Sequence, residues 1–267
     1  MTHVLASTTS HKREPLLPTL EVFGRLGLRE VDVNLHHILE VATPVEAIVD
    51  AVARHGLTVR CVSGGWCDFF DGAPRIEATF QSVSRQVDVA RRLSTSKLRL
   101  FFGRLKYEQY TDAARTTVCA NLQRLSEAHT AMTFVFENHD GASLHPEVCA
   151  EILQRVDRPN IRMNFDPINF ERHDVKALPA LEQVLPFVGH VHLKGLSKGE
   201  FCEFGDGDVD LTPVLRRLVD SGYGGDFSVE YEGHYDGTLR LYQSVRRAQV
   251  ALQRLLPGFT AVEPRTG

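Results

Sequence analysis

TFVFEN, residues 133–138, puts Phe134 and Phe136 on one side of an extended chain and Thr133, Val135 and Glu137 on the other. Three later stretches repeat the scheme. In IRMNFD (161–166) Arg162, Asn164 and Asp166 alternate with Met163 and Phe165. In VGHVHL (188–193) His190 and His192 alternate with Val191 and Leu193, and Lys194 continues the polar phase. In FSVEYE (227–232) Ser228, Glu230 and Glu232 alternate with Phe227, Val229 and Tyr231. Each run reads as a strand with a bulky apolar face and a polar face.

Upstream, HVLAST (3–8), EVDVNL (30–35), TVRCVS (58–63) and KLRLFF (97–102) give four more runs, and every gap has room for a helix and two loops. Strands alternating with helices predict a parallel sheet of the α/β class. Eight such units predict a single (β/α)8 TIM barrel over residues 1–256, with 257–267 as a frayed C-terminal tail. Helix punctuation supports the phase. Thr43-Pro44-Val45-Glu46 reads as a capping box with Pro at the first helical position, closed by His55-Gly56. Thr212-Pro213 opens another helix that stops at Gly222, and Leu241, Val245, Ala248, Leu252 and Leu255 form a packing stripe on the last one.

Composition narrows the class. The 267 residues are 43% hydrophobic and 24% charged, as in ordinary globular proteins. A net charge of −4 offers no basic surplus for a phosphate backbone, so no nucleic-acid partner is expected. The five cysteines (61, 67, 119, 149 and 202) have no metal-type spacing and fit a reducing compartment. No apolar h-region opens the chain and no run approaches ~18 apolar residues, so neither export nor a membrane partner is expected and the cytoplasm is the default.

In a barrel the apolar strand faces must meet the helices, which turns Glu137, Asp166, His192 and Glu230 into the lumen at the C-terminal strand ends, where barrel active sites are built. Singly, each of these has a plain structural alternative, a salt bridge or a satisfied core histidine. Three acids and an imidazole converging away from water repel one another unless a positive charge sits between them. The set therefore predicts one divalent metal ion, Mn²⁺ first, with Mg²⁺, Co²⁺ or Zn²⁺ as alternatives.

FENH (136–139), NFDPINF (164–170), HVHLKG (190–195), GDGDVDLTPVL (205–215) and GYGGDFSVEYEG (222–233) resemble the sugar phosphate isomerase/epimerase superfamily, the xylose isomerase-like TIM barrels. The resemblance implies metal ligation by Glu137, Asp166, His192 and Glu230, with His190 as buried support. In the ketose epimerases of the superfamily the first and last ligand glutamates are also the acid/base pair, which implies that role for Glu137 and Glu230. Those epimerases carry a His where Asn169 stands and an Arg where Lys198 stands, so both positions are candidate substrate contacts of a different kind. Endonuclease IV, a DNA-repair branch, needs further His and Asp-x-His ligands that Asn169, the segment Phe204–Asp208 and CVSGGW do not provide.

The resulting expectation is an isomerase or epimerase of a sugar or related hydroxy-carbonyl compound, working through an enediolate. Alternatives are a dehydratase of the dehydroshikimate or inosose type and a non-catalytic barrel that binds a sugar or a partner. His139 is a candidate for substrate hydroxyls, against a plain loop histidine. Lys194 is a candidate for neutralising a carboxylate or oxyanion, against a structural ion pair. Arg104 is a candidate for an anionic group, against solvated loop charge, and Trp66 a candidate cover over the substrate, against packing on a helix. The absence of a glycine-rich phosphate loop favours an unphosphorylated sugar- or polyol-derived substrate or keto acid, and the superfamily implies a monomer or homodimer.

Overall fold

The computed structural model describes residues 2–36, 42–234, 237–256 and 259. Its barrel strands are β1 (Val4–Ser7), β2 (Glu30–Asn34), β3 (Thr58–Trp66), β4 (Lys97–Phe101), β5 (Thr133–Glu137), β6 (Ile161–Phe165) and β7 (Val188–Leu193). A short hairpin, β8 (Gly195–Ser197) and β9 (Glu200–Cys202), precedes the last barrel strand, β10 (Phe227–Val229). The sheet closes in the order β1-β10-β7-β6-β5-β4-β3-β2, a (β/α)8 TIM barrel. Among the described residues the α-helices, in chain order, are α1 (Leu16–Arg25), α2 (Val45–Arg54), α3 (Gly72–Arg92), α4 (Asp112–Ala128), α5 (Pro146–Val156), α6 (Pro167–Glu171), α7 (Ala177–Val184), α8 (Thr212–Asp220) and α9 (Gly237–Leu255). Apart from Phe259, the expected tail 257–267 lies outside the described residues. No helix among the described residues is long and apolar enough to cross a membrane.

Two compact units divide the chain, residues 1–62 with 191–267 and residues 63–190, and both boundaries fall inside strands, β3 and β7. In the first unit β1 runs parallel to β10 and to β2, with Leu5 level with Ser228 and Ser7 level with Asp32. β10 in turn sets Ser228 level with His192 of β7. Val214, Leu215 and Leu218 of α8, and Leu241, Val245, Ala248 and Leu252 of α9, are buried at helical spacing, while Leu255 is half-buried. In the second unit β5 pairs with β4 and β6, setting Glu137 level with Phe101 and with Asn164. The alternate apolar residues Leu98, Leu100, Phe134, Phe136, Met163 and Phe165 are fully buried. Each such side chain contributes about 1.5–3 kcal/mol relative to exposure.

Several boundaries differ from the sequence expectation. β10 ends at Val229 rather than reaching residue 232. Glu230 N–H still donates to Leu193 C=O (2.9 Å), but Tyr231 N–H turns to Ser10 Oγ (2.8 Å), so the ladder stops one bond past the strand. α2 has no capping box: Pro44 is extended (φ −60°, ψ 133°) in the cap position and Val45 is the first helical residue, which leaves Thr43 one residue too early. Gly56 (φ +62°) and Gly222 (φ +78°) take the left-handed conformation that stops α2 and α8.

Candidate metal centre

Within the unit of residues 63–190, Glu137 ends β5 and Asp166 follows β6 directly as the cap of α6. Asp166 Oδ1 accepts from Ile168 N–H (2.9 Å) and Asn169 N–H (3.0 Å), and Pro167, the first helical residue, has no N–H to satisfy. Asn138 brackets the same residue: its Nδ2 donates to Asp166 C=O (2.8 Å) and its Oδ1 accepts from Asp166 N–H (2.9 Å). Asn169 Nδ2 donates to Glu137 Oε1 (3.0 Å) and to Asn138 C=O (2.9 Å). Arg99, on the lumen phase of β4, brings Nε to 3.2 Å from Glu137 Oε2 and donates from Nη1 to Gly64 C=O (3.1 Å). All of these side chains are buried.

Within the other unit, His192 is fully enclosed, with Nδ1 3.4 Å from Glu230 Oε2 and Nε2 3.7 Å from Asp32 Oδ2. Glu230 Oε1 accepts from Ser7 Oγ (3.4 Å). Lys194 is buried too, and its Nζ lies 2.8 Å from Glu232 Oε2 and 3.7 Å from Glu230 Oε2. The β-ladder makes this arrangement local. Ser228 is level with His192, so Glu230, two residues on, falls on the same face one step nearer the strand ends.

Glu137 and Asp166 in one unit, and His192 and Glu230 in the other, each offer a buried donor atom of a kind that could hold a metal ion. Three carboxylate oxygens and one imidazole nitrogen suit a divalent ion of hard to borderline character. The carboxylates do not face one another uncompensated, because Arg99 stands beside Glu137 and Lys194 beside Glu230.

The remaining sequence candidates separate. Asn169 is buried against Glu137 through the hydrogen bond described above. Trp66, Phe101 and His139 form an aromatic group, with ring centroids 4.5 Å apart for Trp66–Phe101 and for Phe101–His139. Arg104 lies exposed over the Trp66 ring (5.1 Å) with Nη1 3.5 Å from Asp68, the ion pair of a loop charge. Lys198 occupies the exposed turn between β8 and β9 at φ +52°, its N–H held by Asp208 Oδ2 (2.8 Å), and is not among the buried groups. The sequence reading passed over Arg99 and Asp32. Both sit on the polar phase of strands whose alternation, Lys97-Leu98-Arg99-Leu100 and Val31-Asp32-Val33, carries the same signal as the later strands.

Comparison with known proteins gives a consistent picture. The family described as xylose isomerase-like TIM barrel matches residues 25–255. A Mus musculus protein named "Putative hydroxypyruvate isomerase" is 33% identical over 92 residues, 34% of this chain and 32% of its own length. An inosose dehydratase of Clostridium perfringens is 28% identical over 121 residues, 38% of this chain and 41% of its own length. The chain thus matches well under half the length of these curated relatives. A solved xylose isomerase-like TIM barrel protein from Mycobacterium smegmatis, in complex with magnesium, superposes with a TM-score of 0.78 at 17% identity, covering 96% of this chain and 98% of that one.

Proposed function

The chain belongs to the xylose isomerase-like TIM barrel family, and from that premise we propose that it is a divalent-metal-dependent isomerase or epimerase of a sugar or related hydroxy-carbonyl compound. The observation that carries the reading is that Glu137, Asp166, His192 and Glu230, at or within one residue of the ends of their strands, are all buried and all of metal-ligating type. Those residues would hold the ion, which when bound polarises a carbonyl and stabilises the negative charge of an enediolate. The relative named as a hydroxypyruvate isomerase supports this class of chemistry, and the neighbour solved with magnesium supports a divalent ion. Mn²⁺ is our first choice.

The residues' own work is proton transfer and positioning. Isomerisation beside a carbonyl needs one group to take a carbon-bound proton and one to return it. Glu137 and Glu230, from different strands of the lumen, are the pair assigned to this. Asn169 holds Glu137 by one oxygen and Arg99 approaches the other, which fixes the carboxylate's direction. Lys194 beside Glu230 balances charge as the proton moves. Trp66 and His139 are assigned to the substrate's exposed side, where an aromatic surface excludes water.

The inosose dehydratase relative favours a second reading, elimination of a β-hydroxyl on the same site. Turnover of the purified protein with Mn²⁺ on ketoses, inososes and dehydroshikimate, with products identified, separates the two. An isomeric product supports the proposal, and loss of water supports the dehydratase. Glu137→Gln and Glu230→Gln should each lower turnover on the active substrate by about 10²–10⁴-fold. Turnover left intact by either change would remove that residue from the acid/base pair.

A further inference from the structure

Asp32 lies in the middle of β2 between Val31 and Val33, and all three are fully buried. A carboxylate so placed is costly unless neighbouring groups answer its charge. Ser228 Oγ donates to its Oδ2 at 3.0 Å, and the same oxygen stands 3.7 Å from His192 Nε2. The other ring nitrogen of His192, Nδ1, faces Glu230 Oε2 at 3.4 Å. The imidazole therefore sits between two carboxylates, Glu230 on the Nδ1 side and Asp32 on the Nε2 side.

A neutral imidazole carries hydrogen on one nitrogen and a lone pair on the other, and only the lone pair can bind a cation. A carboxylate facing one nitrogen favours hydrogen there and presents the lone pair at the opposite one, and it makes that lone pair more basic. Glu230 competes for that hydrogen from the Nδ1 side until an ion engages its carboxylate, and we infer that Asp32 is then the positioning residue for His192, holding the hydrogen on Nε2 so that Nδ1 is the atom offered to the metal. Ser228 steadies the Asp32 oxygen, and the strand register keeps the assembly in place, since Ser228 is level with His192 and Asp32 with Ser7.

The inference rests on the reading of His192 as a ligand, and the test separates the two. Mn²⁺ affinity is measured by chelator competition for wild type and Asp32→Asn, with the thermal midpoint of each metal-free protein as the folding control. Wild type should bind Mn²⁺, and Asp32→Asn should bind about 10–100-fold more weakly while still folded. Affinity of a folded Asp32→Asn within about threefold of wild type would overturn the positioning role, since a second-layer carboxylate of this kind is worth more. The tautomer of His192, read by long-range ¹H–¹⁵N NMR on the Mg²⁺-loaded wild type, where Glu230 faces the ion, decides the matter even where the variant fails to fold. Hydrogen on Nε2 supports the inference, and hydrogen on Nδ1, which leaves Nε2 as the ligating atom, overturns it. A wild type that binds no Mn²⁺ defeats the metal reading and the inference with it.

Discussion

A guanidinium, that of Arg99, stands 3.2 Å from the Glu137 carboxylate. Arg99 and Glu137 are both buried, so removing the arginine leaves a carboxylate in low dielectric without its partner. Such a loss costs about 3–5 kcal/mol. Arg99→Leu should therefore destabilise the metal-free protein by about that amount in urea unfolding, and Mn²⁺ should restore more stability to this variant than to wild type. Equal restoration in both would separate Arg99 from the charge balance of the site. At this scale the sequence was partly legible. Polar phase at the strand ends singled out Glu137, Asp166, His192 and Glu230, and all four are buried. Arg99 and Asp32 carried the same alternation, but a charged residue earlier in a strand reads as readily as a salt bridge. Lys198, expected as a substrate contact, stands in an exposed turn at φ +52°, a placement that its position six residues past His192 does not specify.

At the level of elements, the junctions after β4, β5 and β6 position the lumen groups. Asn138 ties the end of β5 to the start of α6 through two hydrogen bonds to the backbone of Asp166, both buried. Asn138→Ala leaves both backbone groups short of a partner, and each unsatisfied group costs about 1–3 kcal/mol. We expect a clear fall in thermal midpoint together with weaker Mn²⁺ binding, because Asp166 loses its fixed direction. A lowered midpoint with unchanged affinity would mean that the cap of α6 holds Asp166 by itself. After β4, Gly103 turns at φ +95°, and a Cβ there would collide with the Cys67 carbonyl. Gly103→Ala should cost at least about 1–3 kcal/mol from backbone strain, read by urea unfolding. Strand phase was legible because a two-residue period survives any loop geometry. Strand ends were less so: where β10 stops depends on Ser10, distant in sequence, capturing the N–H of Tyr231. The start of α2 likewise depended on the extended conformation of Pro44, which the Thr-Pro pattern does not specify.

For the molecule as a whole, the barrel order was legible from eight alternating runs, since a closed parallel sheet leaves few other ways to bury their apolar faces. We propose that residues 1–256 form one domain, and the division into two compact units bears on this because its boundaries cut through β3 and β7. One cooperative thermal transition is expected, and two resolved transitions would contradict it. A resident ion also couples function to stability. At about 100 times its dissociation constant, Mn²⁺ should add about 2.7 kcal/mol, and the gain should fade as acid protonates the carboxylates and the imidazole. The most direct test of the account is the metal content of the purified wild-type protein after Mn²⁺ loading and desalting, beside Glu230→Gln treated identically. About one ion per wild-type chain is expected, with a clear deficit in the variant. No retained ion under any divalent supplementation, or equal retention by Glu230→Gln, would contradict it.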